Sequence, residues 1–109
     1  MNPAKLKKLR AAGWKETSVK EFLQLSDHEA MLVELRLALA DAVKASRQKR
    51  GLSQLGLAQR MKSSQSRVAK METGDPSVSL DLIVRAFFAS GGTRHELQRA
   101  FAGKDKLAA

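Results

Sequence analysis

The chain has no cysteine and no tyrosine, and only two prolines and two histidines among its 109 residues. Without thiols there is no disulfide scaffold, no thiolate zinc or iron–sulfur site and no cysteine nucleophile. His28 and His95 have no metal-ligand partner at useful spacing. Asp27, His28 and Glu29 are adjacent on a helix, where neighbouring side chains diverge, so both histidines are expected at the surface and no metal is expected. No G-x-G-x-x-G or phosphate-cradling loop occurs. Ser46-Arg47-Gln48-Lys49 matches S-x-x-K but lacks the companion motifs that give that pattern meaning. No catalytic constellation and no cofactor site remain, so a role other than enzymatic is expected. Long apolar runs are missing as well. Even MLVELRLALADAV is cut by Glu34, Arg36 and Asp41, and no membrane span is expected. Lys5, Lys7, Lys8 and Arg10 lead into Gly13-Trp14-Lys15 with no apolar core behind them, unlike a secretory signal. The expected location is the cytoplasm.

Acid is missing from one long internal stretch. Between Asp41 and Glu72 there is none, while Lys44, Arg47, Lys49, Arg50, Arg60, Lys62, Arg67 and Lys70 give that stretch a net charge of +8. Residues 1–25 add six bases against two acids, and the whole chain carries +9. A local basic surface is what phosphate neutralisation needs, and it points to nucleic acid more directly than overall charge does. A solvated basic face is the competing explanation for charge alone. Hydrophobic residues make up 43%, too many for a disordered tail, and a chain of this length holds one modest core.

What the sequence does contain is helix punctuation. Asn2-Pro3 and Gly13 bracket a short helix around residues 3–12, and Ser18 with Glu21 forms a capping box before Phe22, Leu23 and Leu25. Ser26 with Glu29 opens a long helix that runs to Arg50 and stops at Gly51. Leu32, Leu35, Leu39 and Val43 form one of its stripes, and Val33, Leu37 and Ala40 form a second. So broad an apolar arc calls for cover on more than one side, from the N-terminal pieces or from a second subunit. Two short helices follow, roughly 53–61 and 64–72, separated by Lys62-Ser63 and closed by Gly74-Asp75-Pro76. Ser79 caps a further helix bearing Leu80, Ile83, Val84, Phe87 and Phe88. Thr93 with Glu96 caps the last, with Leu97 and Phe101 on one side. No strand is expected, and the fold class is all-α. Residues 1–25 form a basic helical extension, 26–102 one helical domain, and 103–109 a frayed tail.

The informative stretch is LSQLGLAQRMKSSQSRVAKMETG, residues 52–74: helix, tight turn, helix. This is the smallest unit that presents one helix to the major groove while another braces it. Leu57, Ala58, Met61, Val68 and Met71 are spaced to face a common core. Ser64, Gln65, Ser66, Arg67 and Lys70 are left outward on the second helix. Gln bridges adenine N6 and N7, and Arg or Lys reaches guanine O6 and N7, whereas Ser contacts discriminate less.

Residues 44–88 resemble a lambda-repressor/Cro-type (XRE-family) helix-turn-helix domain, and the five-helix count of residues 26–102 agrees with that fold. LSQ at 52–54 and QSxV at 65–68 carry the likeness. The resemblance implies that Gln54 bonds a phosphate and steadies Gln65, and that Gln65 and Ser66 reach base edges. It implies that Lys70 reaches a base or the backbone, and that Ser64 and Thr73 touch phosphates. Arg67 stands where the family has a small residue and adds a contact of its own. Arg47 and Glu72 occupy positions that pair as a largely buried salt bridge in relatives. Two residues depart from the pattern. Lys62 replaces the usual turn glycine and must tolerate a left-handed backbone. Gly56 weakens the second helix where relatives carry Glu.

The implied function is a sequence-specific transcriptional regulator, a repressor that binds double-stranded operator DNA. A single recognition helix spans few base pairs, so a homodimer on two half-sites about 34 Å apart is expected. Phe87, Phe88, Leu97 and Phe101 supply apolar surface for it or, in part, close the monomer core. Residues 17–43 followed by the motif resemble antitoxins of the host-inhibition-of-growth type, which implies a RelE-like ribonuclease toxin as a second partner. Leu6, Leu9, Trp14, Phe22 and Leu23 equally suit a cap on the long helix. A protein-binding adaptor that neutralises a partner without specific DNA recognition is the alternative.

Overall fold

The structure is a computed structural model that describes residues 26–108, with side chains described through Ala102. The helix expected at 3–12, the Ser18/Glu21 box and the apolar anchors Leu6 to Leu23 lie outside the described residues. Five helices follow in order: α1 (Asp27–Lys49), α2 (Gln54–Met61), α3 (Gln65–Thr73), α4 (Leu80–Ala89) and α5 (Arg94–Ala108). Among the described residues there is no strand, and the all-α expectation holds.

Each helix begins where a short polar side chain satisfies the free N–H groups of the first turn. Ser26 Oγ accepts from Glu29 N, Ser53 Oγ from Gly56 N, Ser64 Oγ from Arg67 N and Ser79 Oγ from Leu82 N. Thr93 and Glu96 form a complete capping box: each backbone N–H donates to the other's side chain, at 3.0 and 3.1 Å. The last helix runs to Ala108, through the stretch from 103 that the sequence suggested was a frayed tail.

The core gathers Leu39 and Val43 of α1, Leu57 and Ala58 of α2, Val68 and Met71 of α3, and Ile83, Ala86 and Phe87 of α4. Val78, in the loop before α4, joins them; Met61, Leu97 and Phe101 pack on the outside of the cluster. The 23 residues of α1 extend about 34 Å at the usual helical rise, far more than the short helices packed along it. Its N-terminal half therefore runs past the cluster. That splits the expected Leu32–Leu35–Leu39–Val43 stripe, since Leu39 and Val43 are core while Leu32 is 52% exposed. The second stripe, Val33, Leu37 and Ala40, is buried throughout. At the α1–α4 crossing the buried hydroxyls of Ser46 and Ser90 meet at 2.6 Å, and Ser90 also donates to Phe87 O. Gly92 lets the chain turn into α5 against Phe87, because a Cβ there would lie 2.5 Å from the ring.

Candidate nucleic-acid interface

Four short elements place the second helix of the motif. Leu57 and Ala58 of α2 and Val68 and Met71 of α3 are buried at the α2–α3 crossing, so the opposite side of α3 faces outward. The turn between them closes on Lys62, which adopts the left-handed conformation expected there, φ 54° and ψ 47°. Its N–H and that of Ser63 bond back to carbonyls at the end of α2. Beyond, Ser64 caps α3 with its side-chain oxygen and lies 3.2 Å from Ser66 Oγ. Gly74, at φ 73°, ends the helix.

The motif is locked from beneath by one ion pair. Arg47 Nε donates to Glu72 Oε2 at 2.5 Å, and its terminal nitrogens donate to Glu72 Oε1 and to Leu52 O, with both side chains largely buried. This is the pair anticipated from the family pattern, and it takes Arg47 away from any external ligand. A buried bidentate pair fixes relative orientation more than it adds net stability. Gln54 joins the same pair. Its Nε2 donates to Glu72 Oε1 at 3.2 Å and not to Gln65. The carboxylate held beneath the motif is the stronger acceptor, and it ties Gln54 to the lock. Thr73, at the far end of α3, donates from Oγ1 to Lys70 O.

The outward side chains come together as expected. The N-cap Ser64 and Gln65, Ser66, Arg67 and Lys70 of α3 are all exposed, away from the buried Val68 and Met71. Gln65, Arg67 and Lys70 make no side-chain bond to the rest of the described protein, so their donors are available to a ligand. Not all of the +8 charge gathers here. Lys49 and Arg50 bond Glu96 at 3.1 and 2.8 Å on the α1–α5 side, and Arg60 donates to Ala89 O at the end of α4. Lys62, Arg67 and Lys70 on the motif, and Lys44 on α1, form no ion pair among the described residues.

Sequence reasoning missed a second wall. A cleft of about 490 Å³ lies beside α3, with Ser64, Ser66, Arg67 and Lys70 on one side and Ser77, Val78, Ser79 and Leu82 on the other. Asp75 puts an acid at this edge, but its Oδ1 accepts from Ser77 N at 2.8 Å. The Ser77 backbone and hydroxyl, with Lys70 and Arg36 nearby, hold its carboxyl below the usual range. Ser79 is legible in the sequence as a cap, but nothing local says that its loop comes to lie across from Arg67.

A basic, polar helix face braced by a second helix and bordered by a hydroxyl-lined cleft defines the class of small DNA-binding helical domains. A family model described as a helix-turn-helix domain matches residues 38–100, more than half of the chain, so the chain belongs to the helix-turn-helix family of DNA-binding regulators. Comparison with curated proteins and with solved structures found no match. Among the described residues no helix is long and apolar enough to cross a membrane, and no group of acids and histidines is arranged to hold a metal ion.

Proposed function

We infer that the protein is a sequence-specific transcriptional repressor of the lambda-repressor/Cro type, acting in the cytoplasm by binding operator DNA and not by catalysis. The observation that carries this reading is the outer side of α3, where Gln65, Arg67 and Lys70 stand exposed, with no side-chain partner among the described residues, on a helix locked by the Arg47–Glu72 pair. Gln65 and Ser66, at the first turn, address base edges; Arg67 and Lys70 address a guanine or a phosphate. Ser64 and Thr73 flank the helix near the backbone. Gln54 keeps a second amide hydrogen for a phosphate while it bonds Glu72. The cleft wall of Ser77 and Ser79, at the N-terminus of α4, takes a backbone phosphate beside Arg67 and Lys70.

A homodimer supplies the two half-sites. Phe88 supports this: it is 46% exposed on α4, held edge-on against the core ring of Phe87 with centroids 5.4 Å apart. Met31 and Leu32, 48% and 52% exposed near the start of α1, favour a protein partner in addition. A RelE-like toxin neutralised by this protein fits that feature.

The test is a mobility-shift assay on DNA from upstream of the protein's own gene, with competitor DNA at physiological salt. Gln65→Ala should relax discrimination at one base pair by about 1–3 kcal/mol, and Gln65→Ala/Lys70→Ala should abolish the specific complex. Sequence-blind binding that both variants share would reduce the motif to a scaffold. The exposed start of α1 would then point to a protein-binding adaptor.

A further inference from the structure

We propose that Arg36 is a positioning residue for DNA binding: from α1 it holds the 75–79 loop at the separation from α3 at which the two together seat a backbone phosphate. This rests on the DNA-binding reading above. Arg36 does not line the cleft. Its Nη1 donates to two carbonyls of the loop, Asp75 O at 3.4 Å and Val78 O. Those bonds join residues 39 and 42 positions apart in the chain.

The loop has few other anchors. It leaves α3 through the left-handed Gly74, passes Pro76 and reaches the Ser79 cap, and within it only Val78 enters the core. Ser77 and Ser79 are exposed and bind nothing beyond the loop's own turn and cap. The loop's ends are fixed by Asp75 N on Lys70 O and by the Ser79 cap of α4; between them two constraints hold it, the Val78 side chain and the Arg36 bonds. Both constraints meet at Val78, whose side chain faces the core while its carbonyl accepts from Arg36.

Cost argues in the same direction. Arg36 is half-buried, and a guanidinium there gives up hydration that an apolar side chain of similar length would not need. Its return is a fixed distance, since two carbonyls on one planar donor group cannot both follow a loop that drifts. The cation also stands near the Asp75 carboxyl, which offsets the one acid at the edge of the cleft.

The experiment measures affinity of the full chain for a mixed-sequence DNA duplex by fluorescence anisotropy across a salt series. Arg36→Met is compared in two backgrounds, the wild type and Arg67→Met/Lys70→Met, with circular dichroism confirming folding. In the wild-type background Arg36→Met should weaken binding on the order of tenfold, a coupling typical of residues that act through one shared partner. It should also flatten the salt dependence by about 0.9 for each phosphate that is no longer seated. In the Arg67→Met/Lys70→Met background, where no phosphate is seated in the cleft, it should change nothing. Equal weakening in both backgrounds, as long-range charge or partial unfolding would give, overturns the proposal. So does unchanged binding by Arg36→Met when the wild type binds with a clear salt dependence. Absence of salt-dependent binding by the wild type overturns the DNA-binding reading itself. Should Arg36→Met fail to fold, Arg36→Lys, which keeps the charge and shortens the reach, goes through the same comparison. Identical behaviour to Arg36 there overturns the proposal.

Discussion

At Lys62 the motif accepts a cost that its usual glycine avoids. An L-residue with φ near 54° brings Cβ against the backbone, a penalty of about 1–2 kcal/mol. The side chain offers no compensation among the described residues, where it is exposed and makes no bond. The same turn shields Ser63 Oγ without a hydrogen-bond partner. Lys62→Gly should therefore raise stability by about 1 kcal/mol, after allowance for the greater freedom of glycine in the unfolded chain. Urea denaturation would register this as a higher midpoint at unchanged slope. An unchanged or lower midpoint would mean that the ammonium stabilises the turn. Both the strain at Lys62 and the Arg47–Glu72 pair were legible from single positions in a known pattern. Gln54 was not, because its partner depends on how deeply Glu72 is buried, which no local signal carries.

Among the elements, one carboxylate ties α1 to α5 beside the apolar packing of Leu97 and Phe101. Glu96 accepts from Arg50 and Lys49 of α1 and from Thr93 at its own cap, with its side chain 17% exposed. The Arg50 guanidinium first, then Lys49 and the Thr93 N–H, draw its pKa from 4.5 down to about 2. A carboxyl depressed in the folded state adds stability that is complete above its unfolded pKa and lost as pH falls through the folded one. The window runs from about 4.5 to about 2. Glu96→Gln keeps the cap geometry and removes the charge. The gap in Tm between wild type and this variant should be constant above the window, narrow through it and close at its acid end. A gap that stays constant down to the acid end would show that the ion pairs do not stabilise the fold. Helix boundaries of this kind were legible because caps are local: the expected 53–61 and 64–72 fall within a residue of Gln54–Met61 and Gln65–Thr73. The cleft was not. It arises where α3 faces the loop after it and the start of α4, and sequence patterns of period 3.6 place residues on faces without saying which face meets which.

For the whole molecule, the decisive quantity is how much of the positive charge is free to meet phosphate. Counted along the sequence, the acid-free stretch offers eight cations. Folding commits Arg47 to Glu72, Lys49 and Arg50 to Glu96, and Arg60 to a backbone carbonyl. Among the described residues that leaves Lys44 on α1 and, on the motif itself, Lys62, Arg67 and Lys70. Each phosphate neutralised releases counterions and contributes about −0.9 to the slope of log K against log salt. Contact through the three cations of the motif predicts a slope near −3 per protomer, where all eight acting together would give roughly −7. An anisotropy titration on duplex DNA at several salt concentrations separates these values. A slope near −3 per protomer would mean that ion pairing within the fold decides which charges reach DNA. A slope close to −7 would mean that the Glu96 and Glu72 pairs open on binding, and the basic face would then extend onto α1. Gln65→Ala should leave this slope unaltered while relaxing base preference, since an amide displaces no counterion. Recognition and electrostatic attraction then reside in different side chains of one helix.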